Sequence, residues 1–321
     1  MKILLAPLNW GLGHATRCIP LVRQFLEQGD EVVLAGDGDS ITLLRRHFPQ
    51  LRFISLPSLE LKYTNNNAQR GFYLKAIPTL SRFIIADHYY LDKLLAIEHF
   101  DIVVSDNRFG FFTRQTRCIY ITHQLYLRLP KRLRIFQPIA RAVHAWFYKK
   151  YDEVWVPDYA DPVNNLAGGL CHGGKFDTQV KYIGPLSRFS PTDNSSKRYR
   201  KDTEGYTLAI LSGLEPQRTI FEKQILNQAI KTGEHLILVQ GLINRSTTNI
   251  KHGHVEIIPH LSDEALLQKM QQSNKIIARS GYSTIMDLAY LNLLDKAELH
   301  PTPGQSEQEY LAEKFKILKT S

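Results

Sequence analysis

Short apolar runs alternate with stretches of helical periodicity along the chain, and this alternation restricts the fold more than any other feature. Most of these runs are apolar throughout rather than alternating between apolar and polar residues, as expected for parallel strands covered by helices on both faces. Between them lie amphipathic stretches such as residues 15–29, where Ile19, Val22 and Leu26 form one stripe and Gly29 ends the helix. The predicted strands are KILLAPL, EVVLAG, LRFISLP, DIVVSD, CIYITH and DEVWVPD, then YTLAILSG, HLILVQG, VEIIPH, KIIARSG and KAELH.

The length of 321 residues indicates two domains, because single cores stop growing at roughly 250 to 300 residues. The polar stretch SPTDNSSKRYRKDTEG has no apolar period and is typical of a linker. We therefore predict an α/β protein with a Rossmann-like domain over residues 1–186, a linker over 187–204 and a second Rossmann-like domain over 205–321. In such doubly wound parallel sheets ligands bind beyond the carboxyl ends of the strands, so we expect the two domains to face a cleft.

The cysteine content and the lengths of the apolar runs argue against several classes of protein. Cys18, Cys118 and Cys171 are far apart without CxxC spacing, so we predict neither a disulfide framework nor a zinc site. The sequence has no run of roughly 18 to 20 apolar residues, and its N-terminal apolar run is too short for a signal-peptide core. We therefore expect a cytoplasmic protein.

The net charge of +9 is concentrated in one segment. Residues 107–151 contain ten Lys and Arg but no Asp or Glu. Within it, Ile135, Ile139, Val143 and Trp146 recur at helical spacing. Residues 131–150 could therefore form a basic amphipathic helix at an anionic membrane surface, peripheral at the inner face of the cytoplasmic membrane. The alternative is a helix whose apolar stripe packs on the sheet. No recognition motif accompanies the charge, so we expect no nucleic-acid partner.

The loop NWGLGHATRC follows the first strand and contains Gly11, Gly13 and His14. A dinucleotide fingerprint would have a third glycine where Thr16 stands, and Asp37 could supply its acidic residue, so a nicotinamide-dependent enzyme is a minor alternative. The near-neutral pKa of a histidine instead suits His14 to remove a proton from a hydroxyl.

A strand order of 3-2-1-4-5 would place Asp106, at the end of the fourth strand, beside His14. The carboxylate could then fix the imidazole tautomer. The alternative for Asp106 is a turn or cap residue before Asn107. Asn107, His123 and Gln124 are weaker candidates on the acceptor side.

The second half carries polar residues after neighbouring strands. RSGYSTIMDL places Ser280 and Gly281 at a strand end and Ser283 and Thr284 in the next helical turn, a position that favours anions. Asp287, one turn further, could accept bonds from a ribose diol. The alternative is that Ser283 and Thr284 only cap the helix and that Asp287 complements its dipole.

The turn HPTPGQSEQEYLAEKF adds amide and carboxylate groups at Gln305, Glu307 and Gln308, which suit hydroxyl-rich ligands. A solvated helix start would account equally well for the acidic residues.

RSGYSTIMDL followed by PTPGQSEQEYLA resembles the donor half of glycosyltransferase family 28, the GT-B family that includes the lipid II-forming N-acetylglucosaminyltransferase. LSGLEPQRTI and NWGLGHATRC resemble two loops of a less studied bacterial branch. The resemblance covers nearly the whole chain and implies a GT-B fold, with the first domain on the acceptor side and the second binding the nucleotide sugar.

The resemblance also implies roles for residues. The diphosphate would lie at residues 279–284, the ribose at Asp287, where the lipid II-forming enzyme carries Glu, and a uracil edge at the backbone near His260 and Leu261. The loop from Ser212 would flank the phosphates. The implied donor-binding set is Gly11, Gly13, Ser212, Gly213, Arg218, Leu261, Arg279, Ser280, Gly281, Ser283, Thr284, Asp287, Gln305, Glu307 and Gln308.

The implied activity is an inverting, metal-independent hexosyl transfer from a UDP-sugar, with UDP-N-acetylglucosamine as a candidate, to a lipid-linked or glycan hydroxyl. No cofactor is expected, because a helix dipole and arginine charge would replace Mg²⁺. Two departures accompany the resemblance: Glu298 and His300 interrupt an aliphatic strand, which indicates an edge strand, and family members continue beyond the position of Phe315. A catalytically silent nucleotide-sugar-binding protein is the alternative function.

Overall fold

The structure is a computed structural model that describes residues 1–58, 72–173, 180–189, 205–243 and 249–320. The chain divides into two compact units. The first unit runs to Leu186 and the second begins at Ser187, with Gly11–Gly13 grouped with the second.

The first unit is a parallel sheet whose described strands follow the order β3-β2-β1-β4-β5-β6-β7. The predicted order 3-2-1-4-5 is confirmed within it. Strands β1 and β4 lie near the middle, and β4 is buried along its whole length. The elements are β1 Lys2–Pro7, α1 Leu12–Glu27, β2 Glu31–Gly36, α2 Gly38–His47, β3 Arg52–Ser55, α3 Phe72–Ile97, β4 Ile102–Asp106, β5 Arg117–Ile121, α4 Gln137–Tyr148, β6 Glu153–Val156 and β7 Val180–Tyr182.

The second unit is a sheet with the order β10-β11-β9-β8-β12-β13 among the described residues. Its strand pairs are parallel except for β10 with β11. The predicted α/β class with two Rossmann-like domains is confirmed. The elements are β8 Thr207–Ile210, α5 Gln217–Thr232, β9 Leu236–Val239, β10 Ile250–His252, β11 Val255–Ile258, α6 Asp263–Gln272, β12 Lys275–Arg279, α7 Tyr282–Tyr290, β13 Ala297–His300 and α8 Ser306–Thr320.

Strand β13 lies at one end of the second sheet, as its polar residues predict. Glu298 on this strand pairs with Lys275 of β12 at 2.5 Å and with His300 at 2.7 Å. Its charge is therefore balanced at the rim of the sheet.

The first three residues of the predicted linker belong to the second unit. Phe189 lies in its apolar core with Tyr206 and Leu208. Ser187 and Arg188 both donate hydrogen bonds to a carboxylate of α7. The linker prediction is thus wrong for residues 187–189, because Phe189 is apolar and packs. Residues 190–204 lie outside the described part of the chain.

Helix α4 turns its apolar stripe toward solvent. Ile139, Val143 and Trp146 are 63%, 52% and 57% exposed, whereas His144 and Tyr148 on the other side of the helix are buried. The alternative that this stripe packs on the sheet is therefore wrong, because aromatic rings of the buried side supply the packing. None of the described helices is long and apolar enough to cross a membrane.

Candidate active site

Strands β1 and β4 bring the first candidate residues together. Pro7 at the end of β1 pairs in register with Asp106 at the end of β4. The chain then turns through Gly11, whose φ of 79° is the left-handed conformation that glycine tolerates, and enters α1. His14 thus lies in the first turn of α1, with its Nδ1 atom 3.1 Å from Oδ1 of Asp106.

Arg17, one helical turn after His14, completes the cluster and was missed by the sequence reasoning. Its Nε donates to Oδ2 of Asp106 at 2.7 Å, and a second nitrogen contacts Oδ1. A third nitrogen lies 3.1 Å from Nδ1 of His123, so this predicted acceptor-side residue joins the same network. The sequence did contain a signal for Arg17: it follows His14 by three positions in a predicted helix, and residues with that spacing lie on the same face of a helix.

Burial and charge both act on the protonation of this cluster. Burial, and then the Arg17 charge, lower the pKa of His14 below its ordinary value against a smaller opposing effect of Asp106. Burial would raise the pKa of Asp106, but the guanidinium of Arg17, and then His14, hold that pKa well below its usual range. The cluster therefore contains an ionised carboxylate beside an imidazole that stays neutral at neutral pH.

Two neighbours compete for the same nitrogen of His14. Arg17 lies 2.8 Å from Nδ1 and can only donate, whereas Asp106 lies 3.1 Å from it and can only accept. A proton on Nδ1 would bond to Asp106 and leave the Nε2 lone pair available. A bare Nδ1 would accept from Arg17 and place the proton on Nε2. Only the first tautomer can act as a base through Nε2.

The other candidates of the first unit form hydrogen bonds within that unit. Asn107 has a φ of 59°, and its side-chain oxygen accepts a bond from Tyr120 at 2.9 Å. Gln124 is half-buried, with its backbone N–H donating to a neighbouring threonine. Asp37, the acidic residue of the nicotinamide alternative, accepts bonds from buried Arg108 at 3.1 Å and from Asn9 at 3.1 Å.

Arg279 links three strand-end segments of the second unit. It ends β12 and donates to the carbonyl oxygens of Pro301, after β13, and of Gln217, at the start of α5. Its guanidinium lies 3.9 Å from the ring centre of Phe221. Among the described residues it has no carboxylate partner, and burial lowers its pKa to about 10. This buried guanidinium, which has no carboxylate partner among the described residues, lies where the neighbouring strands β8, β12 and β13 end.

The start of α7, next to Arg279, leaves open space. Gly281 is the residue before the helix, and a Cβ built on it would meet no described atom within 4 Å outside its chain neighbours. Ser283 and Thr284 follow, half-buried, in the first helical turn. Ser280 is buried and donates to the carbonyl oxygen of Gln308. Gly281 therefore lies at a helix N-terminus with space beside it, and its role in an anion site stays a prediction.

Two charged donor candidates are already engaged within the second unit. Asp287 is buried and accepts bonds from the Ser187 hydroxyl at 2.8 Å and from Arg188 Nε at 3.0 Å. Arg218 donates to Glu215 and Glu222, both at 2.7 Å. In this arrangement Asp287 holds the start of the second unit against α7, and Arg218 braces the start of α5. Ligand contact through either residue stays a prediction and would require exchange of these partners.

The remaining donor candidates lie in strand-end turns. Gln308 directs its side-chain oxygen to the backbone N–H of Thr302 at 2.9 Å, which fixes the turn after β13. Gly213 is exposed and has a φ of 102°. Several others are half-buried at the same sheet edge, namely Ser212, His260, Leu261, Gln305 and Glu307.

Comparisons with known proteins show what the chain resembles. No protein-family model matches it. It is 24% identical to an uncharacterised glycosyltransferase of Methanosarcina acetivorans, over 96% of this chain and 82% of the relative. A similarly described protein of Methanosarcina mazei is 23% identical over 96% of this chain and 82% of its own length.

Two solved structures share the fold at low identity. The glycotransferase of kitacinnamycin superposes with a TM-score of 0.59 at 14% identity, covering 99% of this chain and 84% of that one. Phytolacca americana UGT2, complexed with UDP-2-fluoro-glucose and pterostilbene, gives 0.57 at 13% identity, covering 97% and 82%. The fold is therefore that of GT-B glycosyltransferases, with two Rossmann-like units. The relatives in sequence are likewise described as glycosyltransferases.

Replacing Arg17 with Gln should raise the pKa of His14. The substitution removes a cation and leaves Asp106, which favours the imidazolium, as the dominant charge near the ring. In the wild type, the NMR titration of the His14 ring is expected to have its midpoint below the ordinary value of about 6.5. In the variant the midpoint should move to higher pH.

The same substitution should lower the free energy of unfolding by about 3–5 kcal/mol, because it leaves Asp106 buried without its cation. Urea unfolding measures this loss. Arg114→Gln, at an exposed position of the same unit, is the control and should change neither quantity. A His14 midpoint in the Arg17 variant at or below that of the wild type would contradict the assignment of charge effects.

Proposed function

We propose that this chain is an inverting glycosyltransferase that moves a sugar from a UDP-sugar to an acceptor hydroxyl. The observation that carries the proposal is the contact between His14 and Asp106 at the ends of β1 and β4, in a chain with the GT-B fold. The described glycosyltransferase relatives agree with this class. Membership of glycosyltransferase family 28 and UDP-N-acetylglucosamine as the donor are part of the proposal and rest on the sequence motifs.

The second unit supplies the donor side. Arg279 and the N-terminus of α7 offer positive charge and backbone N–H groups at one sheet edge, the combination that stabilises a diphosphate. The fold neighbour Phytolacca americana UGT2 was solved with UDP-2-fluoro-glucose, which supports a UDP-sugar as the ligand class. The helix dipole and Arg279 would stabilise the leaving UDP without a metal ion at the diphosphate.

The first unit supplies the base. With the Nδ1 proton bonded to Asp106, His14 Nε2 takes the proton of the acceptor hydroxyl as its oxygen attacks the anomeric carbon. The bond from that carbon to the UDP oxygen breaks on the opposite face, so the configuration inverts. Asp106, kept ionised by Arg17, stabilises the imidazolium that forms. The lowered pKa of His14 keeps the ring unprotonated before the reaction.

The exposed stripe of α4 supports an acceptor at a membrane. Ile139, Val143 and Trp146 stand in solvent, and Arg141 and Lys149 on the same helix and its end are exposed as well. An apolar stripe flanked by cations complements an anionic lipid surface, where each Lys or Arg contributes about 1 kcal/mol. We therefore propose a lipid-linked acceptor, reached from the cytoplasmic face of a membrane through α4.

Replacing His14 with Gln should reduce sugar transfer by about 10²- to 10⁴-fold, because general base catalysis contributes that much to such reactions. UDP release from a panel of UDP-sugars, with short lipid-linked and glycan acceptors, measures the rate. UDP affinity, measured by calorimetry, should stay the same, since the donor residues belong to the second unit. Transfer at the wild-type rate would contradict the role of His14, and UDP binding with no release in the wild type would favour the silent binding protein.

Replacing Gly281 with Ala should weaken UDP binding while leaving stability intact. The added methyl group meets only open space in the protein, and the φ of −71° suits alanine. It would occupy the position proposed for the diphosphate, so we expect at least a tenfold rise in the Kd for UDP. Calorimetry and a thermal unfolding curve test both halves. Unchanged UDP affinity in a variant with unchanged Tm would place the diphosphate elsewhere, and stabilisation of the wild type by NAD alone would favour the nicotinamide alternative.

Replacing Ile139 with Glu should weaken binding to anionic vesicles by about tenfold or more, because burying one such side chain contributes about 1.5–3 kcal/mol. Ile230→Glu on α5 is a matched control, since Ile230 is 65% exposed and Ile139 63%. Sedimentation with phosphatidylglycerol vesicles at low and high salt measures the effect. Equal loss in both variants, or no wild-type binding at low salt, would contradict the membrane proposal.

A further inference from the structure

A second polar cluster lies after strand β6, in the first unit, and takes no part in the proposed reaction. It consists of Asp158, two residues beyond the strand, and of Cys171 and His172, which follow a short 3₁₀ helix. One oxygen, sulfur or nitrogen atom from each residue lies within 4.8 Å of the other two. Among the described residues, these three form the group of His, Cys, Asp and Glu side chains whose ligand atoms lie close enough together to hold one metal ion.

The separations from Asp158 to the other two residues match those of ligands around one zinc ion, and the third separation is below 4.8 Å. The Cys171 Sγ atom lies 3.3 Å from Oδ2 of Asp158, and the His172 Nε2 atom lies 3.6 Å from the same oxygen. With Zn–N and Zn–O bonds of about 2.0–2.1 Å and a Zn–S bond of about 2.3 Å, tetrahedral angles give ligand separations of roughly 3.3–3.6 Å. The two contacts of Asp158 therefore already have the spacing of zinc ligands, and binding would require the Cys171 sulfur and the His172 nitrogen to lie at a similar separation.

His172 provides a second observation. Its Nε2 atom is buried and has no hydrogen-bond partner among the described residues, because 3.6 Å to Asp158 is too long for a hydrogen bond. The ring is held by stacking on Tyr182, with 4.9 Å between ring centres. A buried ring nitrogen without a partner is costly unless something binds it, and a metal ion would do so.

The carboxylate of Asp158 is fixed in the way that metal ligands are. Its Oδ1 accepts backbone N–H bonds from Tyr159 and Leu166, both at 2.8 Å, and its Oδ2 accepts one from Ala167 at 2.9 Å. The Cys171 thiol also donates to Oδ2 at 3.3 Å, a contact that a bound ion would replace. Outer hydrogen bonds such as those from the backbone orient metal ligands and support their affinity.

We propose that Asp158, Cys171 and His172 bind one Zn²⁺ ion, with a solvent molecule as the fourth ligand. Binding replaces the thiol proton of Cys171, which is released to solvent, so affinity rises with pH. The ion would tie the segment after β6 to the residues before β7. The sequence argued against zinc because CxxC spacing is absent. Here Asp158 precedes Cys171 by thirteen positions and His172 by fourteen, and it meets them only in the fold.

Metal analysis of the purified full chain tests this proposal. After dialysis against Zn²⁺ and then metal-free buffer, the wild type should retain about one zinc per chain, measured by plasma mass spectrometry. Titration with Co²⁺ should produce a sulfur-to-cobalt charge-transfer band in the near ultraviolet. Cys171→Ser should abolish that band, and His172→Gln should weaken Co²⁺ binding by at least tenfold.

Cys118→Ser is the matched control, because Cys118 is also a buried thiol of the first unit and lies in β5. It should keep both the zinc and the cobalt band. A wild type that retains no zinc and shows no cobalt band would overturn the proposal. Metal retained equally in the Cys171 and His172 variants would overturn it as well. Thermal unfolding with and without a chelator gives a readout that does not depend on activity, and the chelator should lower the Tm of the wild type but leave that of His172→Gln unchanged.

Discussion

The buried carboxylate of Asp106 is the feature on which the first unit depends. It has no solvent-exposed surface and stands at the end of β4, where its charge would be costly without a partner. Arg17 and the Cys18 thiol both approach it from α1. The carboxylate therefore fixes the position of α1 against the sheet, and the same contact sets the ring of His14 at the end of β1. Stability and the proposed chemistry share one interaction.

The second unit uses the opposite arrangement. Asp287 and Arg188 neutralise each other inside it, whereas Arg279 is buried against carbonyl oxygens and an aromatic ring without a carboxylate in the described residues. The buried charges are thus paired where the unit begins, at Arg188 and Asp287. The buried charge of Arg279, where the strands end, has no paired carboxylate among the described residues. A cation in that state favours an anion as a further partner, which is why we propose the phosphate-bearing ligand at the strand ends rather than at the Arg188 pair.

The sequence predicts the regular part of the fold because continuous apolar runs identify buried parallel strands. It misses β7 and β10, which have three residues each. The residues of β10 are all exposed, and its single apolar residue, Ile250, gives no run. The meeting of His14 and Asp106 follows from strand order alone. Other contacts between residues far apart in sequence cannot be predicted in this way. Arg188 lies 99 positions from Asp287, and no local sequence pattern links them. The orientation of α4 was likewise undetermined, since an apolar stripe looks the same whether it meets protein or solvent, and only the burial of His144 decides between them.

Strand β13 has a consequence for the behaviour of the molecule among its own copies. No described strand pairs with its outer edge, which offers backbone groups that another extended chain could pair with, the first step of β-aggregation. Glu298 lies on that rim with its charge held by Lys275, and this pairing lowers the pKa of the carboxyl, so the charge persists into mildly acidic solution. The residue that interrupts the aliphatic pattern of the strand therefore keeps a charge on the edge strand, which disfavours packing of an apolar incoming strand beside it.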